Sequence, residues 1–398
     1  MPAGHRGRSD RWIVVADSVF LPARGGGQRE HAGFLDVAVR AGLVSAVIVP
    51  HGPDRVPEKW YRSGSVEVPV VPVPRDLRRR HLLDCRIPFV VASRPAPDWI
   101  VPTVARLAPE ATAVIVFSYK SHAIGRRLAQ ELGLSVVLRQ HNLEGHYHRE
   151  LARGTSGPSG WMLRWEAFRI ERDERRLEQS AWLDAIADIS CTDAAIRSRR
   201  SRVPVFHVPT FAVSTRDDDI GRAPHSGTVL FLGSLDVVTN HDSLRWFVDT
   251  VWPRVRQLAP ESRLVVVGSR PSPRLLRHLS TVPSVDVHAD VPDVGPYLQS
   301  AAVAISPTRS GSGVNIKLVE YLIAGVPTVT TSVAAAGLEL RPGLDVEVAD
   351  DPESFAEIVA AVLNDPDQAE RLAARRARHA RRMFAPERSL ERLQALLT

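Results

Sequence analysis

Short, continuously apolar runs rich in β-branched residues recur along the whole 398-residue chain, each separated from the next by a longer stretch. In the first half they are Trp12–Ala16, Leu43–Pro50, Val66–Val73, Ala113–Phe117, Ser135–Leu138, Leu183–Ile189 and Val203–Val208. The second half begins again with Thr228–Leu232, Leu264–Val267, Val285–His288, Ala302–Ile305, Val326–Thr330 and Val346–Val348. A strand that is apolar at every position has both faces buried, as in a parallel sheet covered by helices. The intervening stretches, such as His241–Arg256, Pro273–Leu279, Val314–Ala324 and Glu353–Leu363, read as helices. Strand and helix in alternation imply right-handed βαβ units. The expected fold is α/β: two Rossmann-like, doubly wound domains facing each other across a cleft, with ligand at the carboxyl ends of the strands.

The predicted boundaries are residues 1–213 for the first domain, 214–226 for a linker and 227–383 for the second. A terminal helix, 384–398, follows. The linker Ser214–Ser226 is polar, contains Gly and Pro and lacks periodicity. At about 100 to 200 residues per domain the length suits two cores. The two cysteines, Cys85 and Cys191, have no metal-ligand spacing, which argues against a zinc site or a disulfide framework. No run approaches the roughly 18 apolar residues of a membrane helix. The expectation is a cytoplasmic protein.

The charge has an unusual make-up. Of 51 basic residues only Lys59, Lys120 and Lys317 are lysine; the rest are arginine. A lysine retained against that bias is a candidate for chemistry that wants a compact ammonium. Lys317 sits in the strongest local signal, Ala302–Leu338. There a buried strand ends at Pro307, and the loop Thr308, Arg309, Ser310, Gly311, Ser312, Gly313 leads through Val314 into a helix closed by Gly325. Small residues admit close approach of a ligand, and a helix N-terminus offers unpaired N–H groups and a positive dipole. Lys317 beside those donors suits a diphosphate, and Glu320 one turn on suits the hydroxyls of a ribose. The alternative is a loop capping a helix whose Lys–Glu pair is a surface ion pair.

This segment, GSGVNIKLVEYLIAGVPTV, resembles the donor-binding region of the retaining glycosyltransferases of family 4, which have the GT-B fold. The resemblance continues in FLGSLDVVTNHDSLRWFVDTVWP, in RGGGQREHAGFLDVAVRAG near the N-terminus, in LRQHNLEGHYHRE and in IADISCTDAAI. It implies donor contacts from Gly233, Asn240, Arg309, Ser310, Gly311, Ser312, Gly313 and Val314, with Lys317, Glu320 and His141 as catalytic residues. It places Gly25, Gly26, Gly27, Asn142 and Glu144 at the acceptor and phosphates. Outside that context, a flexible βα turn is the lesser reading of Gly25–Gly27, whereas a lone His such as His141 is more often structural. Two departures stand out. Ser312 occupies the position, seven before Glu320, where many members carry an acid. No Arg or Lys follows Gly233, which leaves Lys317, helped by Arg309, as the expected phosphate ligand.

The resemblance implies retaining transfer from a nucleotide-diphosphate sugar to an acceptor hydroxyl, in polysaccharide, glycolipid or metabolite glycosylation. The leaving diphosphate takes the acceptor proton. No metal and no resident cofactor are expected, and Asp217–Asp219 reads as solvated linker. Alternatives on the same fold are a sugar-nucleotide epimerase, a phosphorylase, a pseudo-glycosyltransferase or a non-catalytic sugar-nucleotide-binding protein. The acceptor class is open, with lipid-linked and polysaccharide acceptors both in view. The helix Arg371–Arg382 carries six Arg and no acid, equal to the net charge of +6. It reads as a solvated face or as a peripheral contact with an anionic membrane at its inner leaflet. A nucleic-acid partner is not expected, because the excess charge is confined to that helix and no aromatic stacking pattern accompanies it. Arg75, Arg78, Arg79 and Arg80 form a second basic cluster, and the aromatics of Trp161–Leu177 are expected to fill a core groove.

Overall fold

The structure is a computed structural model that describes residues 10–23, 25–82, 84–153, 155, 157–211 and 227–397. The linker reading at 214–226, including Asp217–Asp219, lies outside the described residues. The chain forms two compact units. One comprises Met1–Ala23, Glu30–Phe211 and Pro386–Thr398; the other comprises Arg24–Arg29 and Ala212–Ala385.

The first unit is built on an eight-stranded sheet. Its strands are β1 (Trp12–Val15), β2 (Val44–His51), β3 (Trp60–Ser63), β4 (Val66–Pro74), β5 (Ala113–Phe117), β6 (Ser135–Gln140), β7 (Ala185–Asp188) and β8 (Val205–His207). Their order is β3-β4-β2-β1-β5-β6-β7-β8, and every pairing is parallel except that of β3 with β4. Strand β3 escaped the sequence reading because it alternates exposed and buried residues at a sheet edge instead of running apolar. The reason for continuous apolarity is visible in β1. Trp12 and Val14 enter the core on one face of the sheet, while Ile13 and Val15 enter the other. Leu390 and Leu393 of the last helix, Pro386–Gln394, belong to the first of these cores.

The second unit holds a six-stranded, wholly parallel sheet. Its strands are β9 (Thr228–Leu232), β10 (Arg263–Gly268), β11 (Val285–Ala289), β12 (Val303–Ser306), β13 (Thr328–Thr330) and β14 (Glu347–Val348). The order β11-β10-β9-β12-β13-β14 makes β9 and β12 the neighbours at which the winding reverses. Val229 and Phe231 face one core and Leu230 and Leu232 the other.

Helix boundaries differ from expectation in two places. The helix expected over His241–Arg256 starts earlier, at Val238, and passes through a π-helical segment, Phe247–Val251, before continuing as Trp252–Leu258. The helix expected from Val314 starts at Ile316, because Gly311 (φ 133°) and Gly313 (φ 82°) hold the chain in the left-handed region just ahead of it. Among the described residues no helix is long and apolar enough to cross a membrane. The basic helix is Pro366–Met383, and part of its charge is committed internally. Arg376 donates to the carbonyls of Gly343 and Leu344 and to Glu347, and Arg381 donates to the carbonyl of Ile323.

Candidate active site

In the second unit, the loops after β9 and β12 leave adjacent strands at the reversal point, where open α/β sheets bind ligands. The loop after β9 begins with Gly233 and turns into the helix Val238–Trp246, which carries Asn240 in its first turn. The loop after β12 leads into the helix Ile316–Ile323, which carries Lys317 and Glu320. Tyr321, buried on that helix, accepts a hydrogen bond from the Leu232 N–H at 2.7 Å and so ties the helix to the end of β9.

Lys317 crosses to the first loop. Its Nζ donates to Asn240 Oδ1 at 2.7 Å and lies 4.4 Å from the centre of the Phe231 ring. Asn240 Nδ2 donates in turn to the Ser234 carbonyl at 3.0 Å. Gly233 is required for this closeness, since a Cβ there would lie 3.0 Å from Lys317 Nζ and 3.1 Å from the Asn240 amide. Burial pushes the Lys317 ammonium down to about 7, although the Glu320 carboxylate works to raise it. A nearby anion would favour its charged form.

Glu320 is bound to a different residue. Arg29 Nη1 donates to both Glu320 oxygens at 2.6 Å. Arg29 belongs to the short segment Arg24–Arg29 that clusters with this unit, at the start of the helix Gly26–Arg40. The glycines ahead of it permit the approach: a Cβ on Gly26 would lie 3.2 Å from the Ile316 side chain, and one on Gly25 would lie 3.5 Å from Ser234 Oγ. A surface Lys317–Glu320 pair is therefore not what these residues form. Sequence reading missed Arg29, a cation that the fold brings onto Glu320 although none follows Gly233 in the chain. Its only local signal was a position one turn beyond Gly25–Gly27.

The structure treats the remaining loop residues less uniformly. Arg309 is exposed and its guanidinium lies 5.3 Å from the Trp246 ring centre, so it packs as a cation over an aromatic face. Ser310 and Gly311 are exposed, and Ser312, Gly313 and Val314 are half-buried, Val314 against the apolar cluster of its own helix. Asn315 braces the loop by donating to Thr308 Oγ1 at 2.8 Å. Gly27 has open space about it.

His141, Asn142 and Glu144 lie in the first unit, after β6. The His141 ring meets that of His31 at 5.2 Å and that of Phe117 at 6.0 Å. Burial, with His31 and Arg139 adding to it, pushes its imidazole down to about 3, so it is neutral over the ordinary pH range. Glu144 is buried, and its oxygen lies 3.9 Å from Lys120 Nζ, which is also 3.9 Å from Asp17. Glu144 raises the Lys120 ammonium above its ordinary value. Burial works to raise Asp17, yet His31, Lys120 and Arg94 hold it well below the usual carboxylate range. Arg94, itself buried, donates to the Asp17 carbonyl at 2.6 Å. Asp17 follows β1, Lys120 follows β5 and Glu144 follows β6, so this cluster also sits at the carboxyl ends of neighbouring strands. Ser118, just before Lys120, holds a left-handed φ of 86°, a strain of the kind that gathers at functional sites. Lys120 is thus the second rare lysine with a charged, enclosed setting, and arginine bias was the signal that could have found it. Asn142 offers its carbonyl to Arg197 at 3.3 Å. Among the described residues no three His, Cys, Asp or Glu side chains converge as metal ligands.

Residues 226–365 match the family described as glycosyl transferases group 1. An uncharacterized 44.6 kDa protein of the cps region of Klebsiella pneumoniae is 25% identical over 139 residues, covering 33% of this chain and 36% of that relative. This chain therefore spans only about a third of the curated relative it matches. Sucrose-phosphate synthase from Thermosynechococcus elongatus has a similar structure at 15% identity, with a TM-score of 0.66 over 97% of this chain and 98% of that one. HepE of Anabaena, solved with UDP and glucose, gives 0.65 at 12% identity over 97% and 99%. At these identities the structural likeness speaks for the fold, and the family match speaks for the segment that bears Lys317. Residues 226–365 thus resemble the glycosyl transferases group 1, within an α/β, two-sheet fold like that of the GT-B glycosyltransferases.

Proposed function

We propose that this chain is a retaining glycosyltransferase that moves a sugar from a nucleotide-diphosphate donor to an acceptor hydroxyl, in polysaccharide, glycolipid or metabolite glycosylation. The observation that carries the reading is the Lys317 ammonium, held at 2.7 Å by Asn240 beside Gly233 and at the start of the helix Ile316–Ile323. In that role Lys317 and the backbone N–H groups of 312–314 bind the diphosphate and stabilise the charge that develops on it as the glycosidic bond breaks. Arg29 supplies a second cation, and Glu320 takes the ribose hydroxyls. The leaving phosphate oxygen accepts the proton of the attacking acceptor hydroxyl, so no separate side-chain base is needed. In the first unit, neutral His141 is a candidate hydrogen-bond donor to a sugar, and Glu144 with Lys120 and Asp17 a candidate acceptor-binding cluster.

The UDP and glucose bound by HepE make UDP-sugars the first donors to test. Thermal-shift screening against UDP-, GDP- and ADP-sugars should show stabilisation by one base, since a ligand at about 100 times its Kd adds ~2.7 kcal/mol. Lys317→Ala should abolish that response and turnover together. A chain that binds a nucleotide sugar but never transfers or hydrolyses it would be a binding protein instead.

A further inference from the structure

The helix Gly157–Leu177 turns its aromatic residues outward, against the expectation that they fill a core groove. Trp161 is 73% exposed, Phe168 55%, Met162 49% and Trp165 42%. At i, i+4 and i+7, Trp161, Trp165 and Phe168 share one face of the helix, and Met162 lies beside it. The other face carries Ala167 and Ile170 into the unit, with Ile170 and Leu177 in its core. A run of large apolar side chains on one exposed helix face marks a docking surface.

The surroundings of this face are basic. Arg164 lies over Trp161 at 5.3 Å and Arg172 over Phe168 at 6.0 Å. Buried Arg169 donates to the carbonyls of His81, Asp84 and Ile87, which fastens the segment 79–87 alongside the helix. That segment brings exposed Arg79, Arg80 and Arg86, and exposed Ile87 continues the apolar face. The carboxylates nearby are paired, half-exposed Glu171 with Arg149 and Arg175. Asp76 is held by Arg78 and His81 with Arg80 at 3.7 Å, Glu166 is buried against Arg169, and Asp84 accepts from the Arg86 N–H at 2.7 Å.

We infer that the outward face of Gly157–Leu177, with Arg79, Arg80 and Arg86 beside it, docks this chain on an anionic lipid bilayer. Trp and Phe with flanking Arg form the pattern of an interfacial helix that seats its apolar side among headgroups. A second copy of the chain fits worse, because a two-fold contact would set the same arginines against each other. The docking does not depend on the reaction proposed above, and it uses none of that site's residues.

The test is co-sedimentation of the full chain with vesicles of phosphatidylcholine alone or containing phosphatidylglycerol, with tryptophan emission as a second readout. The expected result is binding to the anionic vesicles only, weakened by salt, with a blue shift. The triple variant Trp161→Ser, Trp165→Ser, Phe168→Ser should bind about tenfold or more weakly. The variant Arg79→Gln, Arg80→Gln, Arg86→Gln should lose the preference for anionic lipid. Unchanged thermal midpoints of both variants show that the fold is kept. Absence of vesicle binding by the unaltered chain, or equal binding by the triple variant, would overturn the inference. So would a concentration-dependent dimer in sedimentation velocity that the triple variant abolishes, which would give the face to a second copy.

Discussion

Arg29 and Glu320 are 291 positions apart in sequence, yet Nη1 of the one donates to both carboxylate oxygens of the other at 2.6 Å. Their side chains are 28% and 10% exposed, so the pair is screened on one side and enclosed on the other. This pairing brings a second cation onto the helix that bears Lys317, and it occupies the carboxylate proposed for the ribose. If Glu320 takes the ribose as proposed, donor binding exchanges one partner of Glu320 for another.

A double-mutant cycle of Arg29→Gln and Glu320→Gln on chemical unfolding should give a coupling of about 1 kcal/mol, the range for a partly exposed charged pair. Each single change should also weaken nucleotide-sugar binding. Zero coupling would mean that the pair contributes nothing in solution.

Donor binding should depend on pH through Lys317. Its free-state value near 7 lies below the 10.5 of an ordinary lysine, whereas a diphosphate selects the ammonium form. Binding above pH 7 therefore takes up a proton, and affinity falls by up to about tenfold per pH unit there. Titration calorimetry in buffers of different ionisation enthalpy reads that uptake directly. For folding the sign is separate. Between pH 7 and 10.5 the unfolded chain holds a proton that the folded one lacks, so this group's contribution to stability rises with pH. Lys317→Met should flatten both profiles.

Two glycines should part function from stability. At Gly233 an added Cβ presses on Lys317 Nζ and the Asn240 amide, both side-chain tips that can give way. Gly233→Ala should leave the thermal midpoint within a few degrees and weaken donor binding about tenfold. At Gly268 the Cβ would lie 2.1 Å from the Gly233 carbonyl oxygen and 2.6 Å from Leu235. Gly268→Ala should cost about 3 kcal/mol or more, as overpacking against backbone does. Equal stability of the two variants would contradict the packing described.

Arg197 is buried among Asp188, Glu174 and Glu178, donating to them at 3.0, 3.0 and 2.6 Å. Burial, against the pull of Arg197, pushes the Asp188 carboxyl up to about 7. Arg197→Met leaves Asp188 and Glu174 without their cation, with Arg200 still on Glu178, and should cost about 3–5 kcal/mol. Adding Asp188→Asn and Glu174→Gln should recover part of that loss, which unfolding midpoints will show.

The strands were legible because burial on both sheet faces writes itself into every position of a run, as Trp12–Val15 shows. The loop, Lys317 and Glu320 were legible for a similar reason: glycines at left-handed φ and a lone lysine are local signals. Partners were not legible. Lys317 meets Asn240 and Glu320 meets Arg29 only because β9 and β12 lie side by side and because residues 24–29 pack with the second unit. The aromatic stripe of Gly157–Leu177 has one spacing whether it is buried or exposed, and the sequence therefore determined that a stripe exists. Which way it faces depends on what packs on the opposite side, where Ile170 and Leu177 join the core and Arg169 binds the segment 79–87. Periodicity is a property of neighbours in the chain, whereas burial and charge pairing belong to neighbours in space, and only the tertiary structure decided those.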